Sequence, residues 1–140
     1  MPHRTQTAPI PLGAQWRASA RRALTTESEG LQLLIAALDG PLGDGLVAAV
    51  DQMREAKGRV IMTGMGKSGH IARKIAATMA STGTPATFVH PAEASHGDLG
   101  MITPDDVIIM ISNSGESPEL RDILTYSRRF RVKLIAITSG

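Results

Sequence analysis

The chain has 140 residues, of which 42% are hydrophobic and 3% aromatic, which suits one domain with an aliphatic core. Its 15 Lys and Arg residues are scattered and balanced by 13 Asp and Glu residues, which argues against a nucleic-acid groove. The lack of cysteine excludes disulfides, thiolate metal sites and a cysteine nucleophile. Because the sequence contains no signal-like or membrane-spanning apolar stretch, we expect a cytoplasmic protein without a membrane partner.

The first part of the chain is predicted to be a tail followed by two helices. Residues 1–13 contain three prolines and are expected to form a disordered tail. In residues 14–57, apolar residues recur at spacings of three and four, which predicts helices separated by Gly40 and Pro41. We expect their apolar faces to pack on the sheet or on a second subunit, and we treat residues 14–140 as one partial domain.

From residue 59 onward, strands alternate with helices. Strands are predicted over residues 60–63, 86–90, 107–112 and 133–138, with helices over residues 68–81 and from Ser117 onward and one helical turn in residues 91–99. This alternation is typical of an α/β fold with a doubly wound parallel sheet. Because no segment remains after residue 140 to cover the last strand, we expect the fold to be incomplete at its C-terminus.

The first turn of this α/β region is rich in glycine and opens a helix, an arrangement that can bind a phosphate through backbone N–H groups. Residues 64–69 read Gly-Met-Gly-Lys-Ser-Gly, which matches the spelling of a dinucleotide fingerprint. That fingerprint needs an acidic residue about 20 positions further on, where this chain has His90. A nucleoside-triphosphate loop would need glycine at the position of Ile61. Neither nucleotide interpretation fits.

The turn after the third predicted strand is rich in hydroxyl groups. Residues 112–117 read Ser-Asn-Ser-Gly-Glu-Ser, and their donors would suit a terminal phosphate monoester. The structural alternative is that Ser117 is only a helix cap, with Pro118 at the first helical position, and that the rest is a turn. Since parallel sheets bind ligands at the carboxyl ends of their strands, we expect both loops to form one site.

Four titratable residues accompany these loops. Lys67 can neutralise a phosphate or polarise a carbonyl oxygen, or it can be a solvated loop lysine. Glu116 can act as a general base, or it can merely complement a helix N-terminus. His90 and His96 lie in a polar loop and are interpreted as contacts to sugar hydroxyls, with zinc as the weaker alternative because the spacing matches no standard ligand pattern. His3 and His70 are interpreted as surface or capping residues.

On these motifs the chain resembles the sugar isomerase (SIS) domain family, and within it the arabinose-5-phosphate isomerases. The resemblance rests on Gly-Met-Gly-Lys-Ser-Gly-His at residues 64–70, Ser-Thr-Gly-Thr-Pro at 81–85, the histidine-containing run at 88–101 and the serine loop at 112–117. It covers about residues 59–140 and implies a flavodoxin-like strand order. Complete members continue past residue 140, add a glutamate and a histidine to the catalytic set, and usually carry CBS domains.

The resemblance also implies roles for individual residues. Lys67 and Glu116 fall on catalytic positions of the family. The position of His90 can also hold an inhibitory zinc ion, although no cofactor is required. The implied substrate contacts are Ser68, Gly83, Thr84, His90, His96, Ser112, Asn113, Ser114 and Ser117.

The resemblance implies a function as well. Family members interconvert D-ribulose 5-phosphate and D-arabinose 5-phosphate through an enediol, in the pathway to the lipopolysaccharide sugar 3-deoxy-manno-octulosonate, and they assemble as homo-oligomers with shared active sites. The expected partner is therefore a pentose 5-phosphate. The alternative is a non-catalytic sugar-phosphate sensor, because SIS domains also occur in transcription regulators. Residues 14–57 show no recognition helix of the kind such regulators place ahead of the domain.

Overall fold

The computed structural model describes residues 11–139 of the chain. Most of the predicted tail, residues 1–10, lies outside the described part, as does His3. Helix α1 spans Leu12–Ala37, so it begins two residues earlier than predicted and includes the last two residues assigned to the tail. The chain forms two compact units, Met1–Leu46 and Val47–Gly140, and the division falls within helix α2, Pro41–Glu55.

Most apolar side chains of the N-terminal helices are exposed, although Met53 of α2 is partly buried and packs against a core that includes Val60. Helix α1 has no buried residue, and its Trp16 and Leu24 are each 66% exposed. Pro41 opens α2, in agreement with the preference of proline for the first helical position. Within residues 11–139 no single helix is long and apolar enough to cross a membrane. Helices α1 and α2, which are bent at the break between them, reach that length and apolar composition only when taken together. The two predicted helices are confirmed.

The second unit contains a four-stranded parallel sheet with the order β2-β1-β3-β4. Its strands are β1 Val60–Gly64, β2 Ala86–Phe88, β3 Val107–Ile111 and β4 Lys133–Ile137. The α/β class, the parallel sheet and the flavodoxin-like order are confirmed; β2 ends two residues before its predicted end, and β3 and β4 one residue before theirs. The order reverses between β1 and β3, the position at which such sheets bind ligands.

The connections between strands are helices of different lengths. They are α3 Gly66–Ser81, α4 Pro91–Ser95, a 3-10 helix Asp98–Met101, a 3-10 helix Pro118–Leu120 and α5 Arg121–Phe130. The predicted turn in residues 91–99 is therefore α4. The helix predicted from Ser117 starts as a 3-10 helix and becomes α-helical three residues later.

Alternate residues of the central strands enter two cores, one on each face of the sheet. Ile61 and Ile108 pack with Ile123 of α5 on one face. Val60 and Val107 pack with Ala72 of α3 on the other. This explains why β1 and β3 are continuous apolar runs. The last strand, β4, is more open, and its Ile137 is 51% exposed.

A buried carboxylate fixes the amino-terminal edge of the sheet. One oxygen of Asp106 accepts the backbone N–H of Arg59 at 2.6 Å, and the other accepts the N–H of Thr103 at 2.8 Å and its hydroxyl at 3.1 Å. The Arg59 side chain lies 3.6 Å from Asp106 and donates to the Met101 carbonyl at 2.6 Å. Burial acts to raise the pKa of Asp106, but these hydrogen bonds and the Arg59 charge outweigh it, so the pKa is lowered.

Candidate functional site

The glycine-rich turn joins β1 to α3 in a tight backbone geometry. Gly66 has φ +52°, a conformation that favours glycine. At Gly69, a β-carbon would lie 2.5 Å from the carbonyl oxygen of Gly64, so only glycine lets the helix approach the strand end. This close approach presents the unpaired N–H groups of the first turn of α3, together with Lys67 and Ser68, at the carboxyl edge of the sheet.

The serine loop after β3 is organised by its own hydroxyl groups. The Ser112 hydroxyl is 2.9 Å from that of Ser117 and accepts the Gly115 N–H at 3.2 Å. The Ser114 hydroxyl accepts the Glu116 N–H at 3.2 Å. Ser117 occupies the N-cap position, as predicted, but its side chain makes no capping hydrogen bond because it faces Ser112 instead.

A first cavity, which we call the hydroxyl cavity, lies between the glycine turn and the serine loop. It has a volume of 260 Å³ and is lined by Ser68, Ile111, Ser112, Asn113, Ile137, Thr138 and Ser139. The structure thus brings together three of the predicted substrate-binding residues, Ser68, Ser112 and Asn113. Five of its seven lining residues carry hydroxyl or amide groups, so the cavity offers several hydrogen-bond donors to an anion.

Two residues of the hydroxyl cavity were missed by the sequence analysis. Ser139 donates to the Asn113 carbonyl from its N–H at 3.2 Å and from its hydroxyl at 2.6 Å. Thr138 also lines the cavity. A signal was available, since both residues directly follow β4 and therefore lie at the same edge of the sheet as the two loops.

A second cavity, which we call the histidine cavity, lies on the other side of the glycine turn. It has a volume of 110 Å³ and is lined by Gly64, Gly66, Gly69, His70, Arg73, Phe88 and His90. The structure therefore brings His90 to the glycine turn, as predicted. His70 is exposed, as expected, but it also lines this cavity.

The sequence analysis did not consider Arg73 or Phe88 at this site. The Arg73 guanidinium carbon lies 4.4 Å from the centroid of the Phe88 ring. The Phe88 ring in turn makes an edge contact with the His90 ring, and the two ring centroids are 6.3 Å apart. The signals were periodicities: Arg73 follows His70 by three residues on one face of a helix, and Phe88 precedes His90 by two residues. His90 itself caps α4, with its Nδ1 accepting the Ala92 N–H at 3.2 Å.

The two predicted catalytic residues are exposed beside the cavities. Lys67 is in the first turn of α3, and Glu116 is in the serine loop; neither lines the two cavities described above. Over the described range 11–139, no ion pair engages either side chain. Ser114 and His96 are likewise exposed. The loops therefore leave both charged groups accessible to a ligand.

Gly83 and Thr84 are not brought to this edge. They connect the end of α3 to the start of β2, at the amino-terminal edge of the sheet. The 16 residues of α3 rise about 24 Å between the two edges. Within one chain, these two predicted contacts are therefore remote from the serine loop.

Metal binding at His90 gains no support. The described residues contain no group of three or more His, Cys, Asp or Glu side chains that could hold a metal ion. One ring nitrogen of His90 is already engaged by the Ala92 N–H. Zinc is therefore not part of the function proposed below.

The fold and the two loops define a class of domain, and comparison with known proteins identifies that class. The sequence pattern of the SIS domain matches residues 52–140, more than half of the chain. The chain therefore belongs to the SIS domain family. This agrees with the resemblance inferred from the glycine turn and the serine loop.

Particular relatives are more specific. The chain is 50% identical over 122 residues to arabinose 5-phosphate isomerase KdsD of Pseudomonas aeruginosa, and 50% identical over 126 residues to KdsD of Escherichia coli K12. These alignments cover 87% and 90% of this chain but only 36% and 37% of the relatives.

A solved structure of Escherichia coli CFT073 c3406 in complex with arabinose 5-phosphate superposes with a TM-score of 0.74 at 40% identity, covering 89% of this chain and 65% of that one. A sugar-phosphate isomerase described as putative, from Listeria monocytogenes, superposes with a TM-score of 0.67 at 31% identity, covering 69% of this chain and 51% of that one.

Proposed function

We propose that this chain is the phosphate-binding core of an aldose–ketose isomerase that interconverts D-ribulose 5-phosphate and D-arabinose 5-phosphate. The observation that carries the proposal is the hydroxyl cavity, which joins Ser68, Ser112 and Asn113 at the point where the strand order reverses. Further support comes from relatives named arabinose 5-phosphate isomerase and from a structural neighbour solved in complex with arabinose 5-phosphate. Activity is proposed for the protein as its own cell produces it, which we call the natural protein.

In this proposal the substrate phosphate occupies the hydroxyl cavity. Ser112 is nearly fully buried, and its hydroxyl already bonds Ser117 and Gly115, so the loop needs little rearrangement to accept a phosphate. The unpaired N–H groups at the start of α3 add donors from the opposite side. Ser114 and Ser117 complete the set of hydroxyl donors from the serine loop.

The proposed chemistry is a proton transfer between C1 and C2 of the sugar. Glu116 removes the C2 proton of the aldose, the electron pair forms the C1–C2 double bond, and the carbonyl oxygen takes up a proton to give the enediol. Return of a proton to C1 and loss of the proton on the C2 oxygen give the ketose. Lys67 stabilises the negative oxygen that develops during the transfer. His90 and His96 contact the sugar hydroxyls.

Turnover by the natural protein tests this function. D-Arabinose 5-phosphate should be converted to D-ribulose 5-phosphate, and D-arabinose without phosphate should be neither bound nor converted. Because the chemistry needs no cofactor, EDTA should leave the rate unchanged. A thermal shift by D-arabinose 5-phosphate without any conversion would support the sensor alternative instead.

The proposal includes a homo-oligomer with shared sites. If Gly83 and Thr84 contact substrate, they must do so in a neighbouring copy, since they lie at the opposite edge of their own sheet. The exposed apolar side chains of α1 provide a surface for association.

The proposed product would enter synthesis of the lipopolysaccharide sugar 3-deoxy-manno-octulosonate. Support comes from the relatives named arabinose 5-phosphate isomerase, which match 87–90% of this chain. In bacteria that lack arabinose-5-phosphate isomerase, the natural protein should restore synthesis of that sugar. Failure to restore it, despite turnover in vitro, would contradict the assignment to this pathway.

A further inference from the structure

Three side chains of the histidine cavity form a stack, and the proposed chemistry uses one of them, His90, but neither of the other two. Arg73 of α3 lies over the Phe88 ring at 4.4 Å, and the Phe88 ring meets the His90 ring at 69°, close to an edge-to-face contact. In the described part of the chain Arg73 makes no ion pair. Its guanidinium is therefore placed by an aromatic ring and not by a carboxylate.

In the ring orientation that the stack holds, the backbone determines which ring nitrogen of His90 carries the proton. Nδ1 accepts the Ala92 N–H at 3.2 Å, so the neutral imidazole carries its proton on Nε2. The ring nitrogen available to a ligand is therefore a donor. A donor beside the glycine turn suits an oxygen acceptor, such as a hydroxyl or carbonyl oxygen of a sugar, and does not suit a metal ion, which needs a lone pair.

We propose that Arg73 is a positioning residue that, through the Phe88 ring, holds His90 as an Nε2–H donor toward the hydroxyl-bearing end of the sugar phosphate. The inference rests on the proposed function for the identity of the ligand. The 110 Å³ volume of the histidine cavity has room for a few non-hydrogen atoms, which suits the end of a sugar and not a whole pentose phosphate. The stack restricts rotation of the imidazole, because Phe88 contacts its ring while Ala92 holds its Nδ1.

The test compares Arg73→Met with Arg73→Lys and with the control Lys74→Met in the natural protein. Arg73 and Lys74 are both exposed on α3, so the two methionine variants remove one positive charge from the same helix without disturbing the core. The first readout is the ¹⁵N shift of the His90 ring, recorded at increasing pH until it no longer changes. His90→Gln identifies the signal. The second readout is the separate measurement of kcat and KM for D-arabinose 5-phosphate.

We expect the unmodified protein to show Nδ1 without a proton and Nε2 with one. Arg73→Met should give a mixture of the two tautomers and raise KM about two- to fivefold, the size of a lost exposed cation–π contact, with a smaller change in kcat. Arg73→Lys should restore part of the effect, and Lys74→Met should change neither readout.

Several results would overturn the inference. One is a His90 ring protonated on Nδ1, and another is an Arg73→Met variant that matches Lys74→Met in ring shifts and KM. A raised KM with unchanged ring shifts would mean that Arg73 contacts the substrate directly, which also contradicts positioning. If the unmodified protein does not turn over the pentose phosphate, the proposed function fails, while the ring shifts of the variants still decide whether Arg73 positions His90.

Discussion

Lys67 is an exposed cation in the glycine turn, which lines both cavities. A single substitution can test its proposed role in stabilising the negative oxygen of the transition state. Lys67→Met should lower kcat of the natural protein by about 10²-fold or more, because an oxyanion would lose its stabilising charge. KM should change little. Steady-state kinetics with D-arabinose 5-phosphate check this, with Lys74→Met as the control for loss of a charge from α3. Near-normal turnover by Lys67→Met would remove Lys67 from the proposed chemistry.

Ser112 is the buried hydroxyl of the serine loop, so its removal should weaken phosphate binding. Ser112→Ala loses the contact to Ser117 and the bond from the Gly115 N–H. We expect KM for the pentose phosphate to rise about tenfold, which corresponds to one hydrogen bond. Ser127→Ala is the matched control, because Ser127 is also buried and its hydroxyl donates to the Leu124 carbonyl of its own helix. An equal KM for both variants would contradict a phosphate site in the hydroxyl cavity.

At the residue scale, the sequence predicted which residues of local motifs come together at the carboxyl edge of the sheet, while their roles stay predictions. Ser68, Ser112, Asn113 and His90 line the two cavities as expected. Arg73 and Ser139 lie outside these motifs; their positions in the sequence carried a signal, but their contacts depend on how α3 meets β2 and how β4 aligns with β3. The Ser117 hydroxyl forms a hydrogen bond with Ser112 instead of capping the helix. The sequence could not predict this, because the partners within reach of a hydroxyl depend on how the loop folds.

The junction between β1 and α3 depends on a glycine that has no room for a side chain. In Gly69→Ala, the new methyl group would lie 2.5 Å from the Gly64 carbonyl oxygen, so the helix must shift away from the strand. We expect a loss of stability of about 2–4 kcal/mol, measured by urea unfolding. Gly100→Ala is the control in the same unit, because a β-carbon there meets nothing within 4 Å. Equal stability of the two variants would contradict the tight junction.

The carboxylate of Asp106 makes the amino-terminal edge of the sheet sensitive to acid. Its pKa is lower in the folded chain than the usual value, so its stabilising contribution is present above that value and is lost as the pH falls through the folded pKa. At neutral pH, Asp106→Asn should lower the free energy of unfolding by about 2–3 kcal/mol. The difference should shrink in strong acid.

Urea unfolding at several pH values checks this prediction. The control is Asp105→Asn, which removes the neighbouring carboxylate, an exposed one. A difference between Asp106→Asn and the unmodified chain that stays constant down to strong acid would show that the carboxylate charge is not the cause.

At the element scale, the order and type of the main helices and strands followed from hydrophobic periodicity. The ends were less accurate. β3 and β4 stop together at the pair Ile111 and Ile137, one residue before their predicted ends, whereas β2 stops opposite Met62 although β1 continues to Gly64. The 3-10 start of the helix after Ser117 was not predicted, since the same residue types favour either form of helix.

At the scale of the whole molecule, shared sites can be tested by mixing inactive variants. Lys67→Met and Thr84→Val should each impair the natural protein, because each removes one of the two contributions to every site. If the contributions come from different copies, co-folded mixtures should regain roughly a quarter of the normal activity, since that share of sites receives both intact residues. Each variant co-folded with itself is the control. No recovery in mixtures that light scattering shows to be oligomers would contradict sites shared between copies.

The sequence could not show which surface covers α1. Its apolar residues repeat at helical spacing whether they pack on their own sheet or on another copy, and the periodicity is the same in both cases. Within the first unit, Trp16 and Leu24 are each 66% exposed.

Residues of the glycine turn line both the hydroxyl cavity and the histidine cavity, so the turn sets the distance between the two cavities. Its close packing at Gly69 fixes the spacing between the two cavities in the backbone itself, not in side chains that can rotate. A ligand that fills both must have the right number of atoms between its phosphate and its far end. The backbone would therefore select sugar phosphates by the length of their carbon chain, while side chains such as His90 would select the orientation of each hydroxyl group.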